Sequence, residues 1–311
     1  MASFNIAFTT VFPLFLLMAL GYFLRRVNVF ELPFLRKLNG VIFYVFFPVM
    51  LFANLYKSSF SNIISNKIVP FTVISILVIF AVLFFIIPVI EKDNRKRGVM
   101  IQGIFRSNHM LFGFPIVTAL FGEANLGIVS VLIAVLVPIF NILSVIALEA
   151  FRGDKLRLTV IVKSCIKNPL IISVFTGFAF MLAGIRLPPV VANTVTDVSR
   201  IATPLALIVL GGTFEFSNLA KNAWQLVIVV TGRLLIVPLI VIFIAVRLGF
   251  RGLELGALLG AFASSTVVSS YTMAVQMDGD DQLAGQIVVL TSVLSVITLF
   301  FFIVFLSPYL F

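Results

Sequence analysis

Apolar positions in this chain come in long unbroken runs, and the charged positions fall mostly in the short stretches between them. Spanning roughly 30 Å of hydrocarbon takes about 20 helical residues, so each such run predicts a transmembrane helix. Ten runs qualify, at residues 4–24, 38–56, 68–90, 98–121, 125–148, 169–184, 190–212, 219–246, 253–277 and 282–306. The expected fold class is therefore all-α and transmembrane, with ten spans. The first run has no basic stretch before it and is followed by Arg25 and Arg26, which reads as a retained span and not a cleaved signal.

Composition strengthens this reading. Of 311 residues, 61% are hydrophobic and only 11% charged, a balance that the surface of a soluble domain does not accommodate. The net charge of +10 raises nucleic acid as a partner. The basic residues lie between apolar runs, however, with no aromatic interleaving on one face, which argues against a nucleic-acid groove. They orient the chain instead, because Lys and Arg resist crossing a bilayer. The first loop holds Arg25, Arg26, Arg36 and Lys37; the third Lys92, Arg95, Lys96 and Arg97; the fifth Arg152, Lys155, Arg157, Lys163 and Lys167. These loops are expected to be cytoplasmic, leaving both termini outside a bacterial cell membrane. The opposite side carries Lys57 and Lys67, then Arg186 and Arg200, then Arg247 and Arg251, while Lys221 alone marks the cytoplasmic side of the second half. A lone Cys165 and a lone His109 exclude an intrachain disulfide and a protein metal cage; Cys165 reads as a packing residue.

An internal repeat is expected. Shifting by 156 residues places Pro13 on Pro169, Gly21 on Gly177, Pro33 on Pro189 and Pro48 on Pro204; shifting by 157 places Gly103 on Gly260, Phe105 on Phe262, Ser107 on Ser264 and Gly122 on Gly279. Chance placement of helix-punctuating prolines is the competing account, and the shared offset weighs against it. Each unit contains five spans, and an odd number inverts the second copy. The expected division is residues 1–150, a cytoplasmic connector at 151–168, and residues 169–311.

Inside hydrocarbon a helix break strands backbone groups, so it persists only where protein or a wet cavity satisfies them. The fourth run contains Arg106, Ser107, Asn108 and His109, then Gly113-Phe114-Pro115, and a break is expected there. The ninth carries Ser264, Ser265, Thr266, Ser269 and Ser270 at the matching depth, with Ser269 or Ser270 the expected cap of a second half-helix. Gly252, Gly256, Gly260 and Ser264 recur every four residues, a stripe that admits close approach of another helix.

If both broken spans cross at mid-depth, their half-helix N-termini direct partial positive charge at one place, which suits an anion. Arg106 adds a full charge and a bidentate fork, or else snorkels toward the cytoplasm. Asn108 and Asn141 are ligands or helix bridges, as is Thr298, the repeat counterpart of Asn141. His109 is a proton relay or a packed core residue. Asp197 pairs with Arg200 one turn on, and Arg233, without a sequence-local acidic partner, faces the bundle interior or an edge.

The motifs FYVFFPVML (residues 43–51), FRSNHMLFGFPIVTALFG (105–122), KNPL (167–170), ATPLALIVLGG (202–212) and the GDDQLAGQIVVLTSVLS run near the end are similar to those of the bacterial branch of the auxin efflux carrier family. The resemblance covers essentially the whole chain. It implies ten spans in two inverted repeats, a scaffold and a transport domain, and a substrate site where spans four and nine cross. Carried over by residue, it implies Asn108, a Gly113–Pro115 break and a Ser264–Ser270 break, and dicarboxylates such as malate or malonate as substrates of bacterial members. The ninth span departs from the family pattern in lacking a proline.

The resulting expectation is a secondary carrier, elevator-type or rocking, for a small organic anion bearing a carboxylate. Its substrate-binding residues are Arg106, Asn108, His109, Gly113, Pro115, Asn141, Ser264, Ser265, Thr266, Ser269 and Ser270, against a scaffold of spans one, two, six and seven. No cofactor is expected; the coupling ion is left open between H+ and Na+. Membrane lipid is a partner and a homodimer is allowed. The rival classes are a non-transporting ligand-sensing module, for which no appended signalling domain is present in the sequence, and an intramembrane enzyme, for which His109 has no sequence-visible catalytic mate.

Overall fold

The computed structural model describes residues 2–56, 67–122, 125–153, 162–163, 166–214 and 220–311, apart from the side chains of residues 2–11. Lys57, Lys155, Arg157 and Cys165, and with them much of the 151–168 connector, lie outside the described residues. Within them the chain is helical, with one isolated antiparallel bridge between Ser107 and Thr266. The helices are α1 (Ala2–Arg26), α2 (Leu32–Tyr56), α3 (Ile68–Ile90), α4 (Asn94–Phe105), α5 (His109–Phe121), α6 (Gly127–Ala150), α7 (Pro169–Leu182), α8 (Pro189–Thr213), α9 (Ala220–Arg247), α10 (Gly252–Phe262), α11 (Ser269–Gln276) and α12 (Asp281–Leu310).

Six of these, α2, α3, α6, α8, α9 and α12, are long and apolar enough to cross a membrane. The chain is a multi-pass membrane protein. Helix α3 is the most apolar, with a mean hydropathy of 3.3, and few of its residues are buried within the protein, as expected of a helix solvated by lipid. Two of the long helices widen for one turn into π geometry, at Ile42–Phe46 in α2 and Gly232–Ile236 in α9. A proline follows each by two residues, Pro48 and Pro238, and the missing N–H frees a carbonyl one turn back, inside the widened segment.

The two runs expected to be interrupted are interrupted. Residues 94–121 form α4 and α5, and residues 252–276 form α10 and α11. The position of the first break differs from the expectation. Gly113 and Pro115 lie inside the continuous helix α5, and the chain leaves helical geometry earlier, at Arg106 (φ −85°, ψ 116°) and Asn108 (φ −90°, ψ 47°). A proline only withholds one donor, which a helix survives with a kink; a full break needs another partner for the freed backbone, and that partner lies beside Arg106–Asn108. The second break forms without any proline, across residues 263–268.

Glycines set how closely the helices pack. A Cβ on Gly21 of α1 would stand 1.9 Å from the Ile208 carbonyl oxygen of α8, and one on Gly211 of α8 would stand 1.9 Å from that of Met18. The two backbones are therefore in direct contact. Helix α2 joins this pair and also packs along α7, where Gly177 meets Phe52 and Leu55. A second group gathers α4, α5, α6 and α9 to α12. Here a Cβ on Gly260 of α10 would lie 2.6 Å from the Gly113 Cα of α5, and Gly256 faces the Phe121 ring. Gly113 thus serves close packing. The expected glycine stripe begins at Gly256, because Gly252 adopts φ +51° at the start of α10 and contacts little.

At one end of the second group, the turn after α11 is tied to α4 and α6. Arg95 donates to the Asp278 and Gly279 carbonyls, and Arg152 forms an ion pair with Asp278 at 2.7 Å. Asp278 sits at φ +58°, and Asp280 caps α12 by accepting from the Leu283 N–H.

Replacing Gly211 or Gly260 by Val is expected to force backbones apart, with overpacking costing roughly 1–3 kcal/mol or more. Gly127→Ala, where nothing lies within 4 Å, is expected to be neutral. Thermal unfolding midpoints of the purified variants in detergent check both.

Candidate functional site

The two interruptions meet. The extended residues of the first pair with those of the second through the Ser107–Thr266 bridge, and the Asn108 N–H donates to the Ser265 carbonyl at 2.9 Å. Around this contact the freed backbone groups find side chains. Thr266 Oγ1 donates to the Gly103 carbonyl at 2.7 Å, and Thr291 Oγ1 of α12 accepts from the Thr266 N–H at 3.1 Å. Gln102 Nε2 donates to the Ser270 carbonyl at 3.0 Å. Serine and threonine suit these positions because their short hydroxyls bond nearby backbone without adding bulk.

Arg233, in the widened turn of α9, is the largest fully buried side chain among the described residues. Its Nε donates to the Ser264 carbonyl at 2.9 Å, its Nη1 to the Ile104 carbonyl at 3.3 Å, and its Nη2 to Ser264 Oγ at 3.3 Å and the Ala261 carbonyl at 3.5 Å. Ile104 lies in the last turn of α4, and Ala261 in that of α10. One guanidinium therefore serves the C-terminal ends of both half-helices, where carbonyls lack intrahelical partners and the helix dipoles are negative.

Arg106 is the C-cap residue of α4, but its side chain reaches across to the other kind of helix end. It is 3% exposed, and its Nη2 donates to Asn141 Oδ1 at 2.9 Å and Ser269 Oγ at 2.8 Å, while Nη1 reaches the Met273 sulfur at 2.7 Å. Ser269 opens α11, so this cation lies beside a helix N-terminus, which is already positive. All three partners are neutral, and among the described residues no carboxylate forms an ion pair with Arg106 or Arg233.

The structure thus brings Arg106, Asn141 and Ser269 together through hydrogen bonds, and joins Asn108, Ser264, Ser265 and Thr266 through the crossing backbones. Arg106 does not snorkel. Ser269 and Ser270 do not cap α11: the N-cap is Val268 and makes no side-chain bond, because both serines are already inside the helix. His109 is 3% exposed, packs against Gly113, and faces the backbones of Gly260 and Val129 without a hydrogen bond of regular geometry. Pro115 stands about two turns into α5, away from the crossing. Thr298 bonds only within its own helix, and Asp197 and Arg200 are an exposed surface pair at 3.7 Å. Four buried hydroxyls near the crossing, those of Ser107, Ser265, Ser270 and Thr272, have no protein partner.

Sequence reasoning did not assign Arg233, Gln102, Thr291 or Met273 to the site. The signal for Arg233 was present: an ionisable residue in the middle of an apolar run marks function or a buried partner. Its partners are backbone carbonyls, which carry no residue-type signature.

A family model described as "Membrane transport protein" matches residues 6–303. A protein of Methanothermobacter thermautotrophicus, described as an uncharacterized transporter, is 26% identical over 93% of this chain and 95% of its own. A second such transporter, from Methanocaldococcus jannaschii, is 20% identical over 91% of this chain and 94% of its own.

Arg233→Ala is expected to strand the Ile104, Ala261 and Ser264 carbonyls and to destabilise the protein by roughly 1–3 kcal/mol or more, the magnitude for leaving buried acceptors unsatisfied. Arg233→Lys, with charge but no fork, is expected to fall between. Thermal unfolding of the two variants in detergent checks the order.

Proposed function

Because the chain belongs to the membrane transport protein family, the family its motifs resemble, we propose that it is a secondary carrier moving a small organic anion, a carboxylate, by alternating access. The observation that carries the anion is the Arg106 guanidinium, held out of water against the N-terminal end of α11 with neutral partners alone. A buried cation beside a positive helix end is costly. A bound carboxylate offsets that cost, accepting from Arg106 and from the polar groups of Asn108, Ser265 and Ser270 around it. The unpartnered hydroxyls near the crossing are further donors for the same ligand.

In this reading the chain comprises ten spans in two inverted halves, residues 1–150 and 169–311, with the α4/α5 and α10/α11 pairs as the crossing spans. Both termini lie outside the cell, as the basic loops argue. The moving body is the group around the crossing, and α1, α2, α7 and α8 form the scaffold. Support comes from how the two groups touch: glycine-mediated backbone contact lies within each group, whereas between them α1 packs along α12, and at the α11 half-helix Asn39 donates to the Thr272 carbonyl at 3.3 Å and Thr213 bonds the Tyr271 hydroxyl at 2.6 Å. Asn54 and Met110 add a weak contact at 3.5 Å on the side where α5 begins. Single hydrogen bonds of this kind, about 1 kcal/mol each, yield to sliding more readily than interlocked backbones.

The test is uptake of radiolabelled malate, malonate and aromatic acids into proteoliposomes. Arg106→Ala and Asn108→Ala are each expected to lower uptake roughly tenfold or more, the loss that accompanies a charge-assisted hydrogen bond of about 1.5–3 kcal/mol. Imposed H+ and Na+ gradients in the same vesicles identify the coupling ion. Undiminished transport by both variants would remove the proposed site.

A further inference from the structure

Between α9 and α12 lies a groove of about 600 Å³, within the size range of ligand pockets. Its walls include Leu239, Ile242, Phe243, Phe302 and Phe305, and Arg247, Arg251 and Tyr309 line it as well. Leu239, Phe243 and Arg247 follow one another at four-residue steps on one face of α9, so an apolar stripe of about 12 Å runs from the guanidinium toward the membrane interior. Both arginines are seated on aromatic rings: Arg247 lies 5.1 Å from the Phe243 centroid and Arg251 4.9 Å from that of Tyr309. Arg251 is held further by Nη1, which donates to the Val246 and Phe250 carbonyls at 2.8 and 2.7 Å. Among the described residues no carboxylate lines the groove.

Two fixed cations at the end of an apolar trough match an amphiphile with an anionic head. A small soluble anion leaves the trough unfilled, and a zwitterionic headgroup brings its own ammonium to two arginines. We propose that this groove is a binding site for one anionic phospholipid, its phosphate on Arg247 and Arg251 and an acyl chain along Leu239, Phe243 and Phe305. The ring seats fix the guanidiniums while leaving N–H edges for phosphate, the geometry that arginine forks favour. An anionic headgroup also offsets basic residues in a loop opposite the strongly basic loops, where the orientation argued above disfavours them.

The test uses the purified full chain, delipidated in neutral detergent. Phosphatidylglycerol is expected to raise the thermal midpoint by ~3 °C or more over phosphatidylcholine of the same chains, and glycerol phosphate alone is expected to do nothing. Arg247→Gln/Arg251→Gln is expected to respond to both lipids equally. Native mass spectrometry of the wild type from a mixed-lipid micelle is expected to retain one phosphatidylglycerol in preference, which tests the site even if the double variant folds poorly. Equal stabilisation by both lipids, retained selectivity in the variant, stabilisation by glycerol phosphate, or a dimer lost on mutating the arginines would each overturn the proposal.

Discussion

Hydrocarbon gives a stranded peptide group nothing to bond, and most of this structure follows from how that constraint is met at two helix breaks. Each break exposes carbonyls at one half-helix end and N–H groups at the other. The crossing satisfies a share of them mutually, through the Asn108–Ser265 bond. Arg233 takes up the carbonyl ends. Hydroxyls of Thr266 and Thr291 and the Gln102 amide complete the set. At Gln102, Thr266 and Thr291 the polar side chain therefore has a backbone group to serve, and an aliphatic replacement there would leave that group alone in the dry interior.

The two buried arginines have opposite meanings because of where the helix dipoles point. Arg233 sits at negative ends and is stabilised by the fold itself. The Arg106 guanidinium reaches the N-terminal end of α11, with Ser269, Asn141 and Met273 as its acceptors, and it is the one on which the proposed anion site rests. A residue count reads both as an intramembrane cation.

Packing divides the labour between parts of the chain. Where glycines bring backbones into contact, as between α1 and α8 or α5 and α10, dispersion over many atoms makes the pairing stiff. Between the α1, α2, α7 and α8 group and the α11 half-helix of the crossing, the contacts include the side-chain bonds of Asn39 and Thr213. That contrast fits the proposed carrier, whose binding elements must shift against a partner while keeping their own crossing intact. A distinction of this sort is one of surface chemistry and shape, not of hydropathy, so it does not appear in the run lengths.

The sequence by itself determined that this is a multi-pass helical membrane protein, that two of its apolar runs are interrupted, and to which family it belongs, because lipid solvation imposes long apolar stretches and penalises polar groups wherever they fall. It also marked Arg106, Asn141 and Ser269 as residues with business inside the membrane. Tertiary structure decided the rest. It moved the first break from Gly113–Pro115 to Arg106–Asn108, since a break settles where a second backbone can receive it and not where a proline withholds one donor. It turned Ser269 from a cap into an acceptor for Arg106, and it gave Arg233 its partners, which are main-chain carbonyls brought from 28 to 129 residues away. Peptide groups are identical at every position, so no pattern of side chains could have announced which of them would converge on that guanidinium.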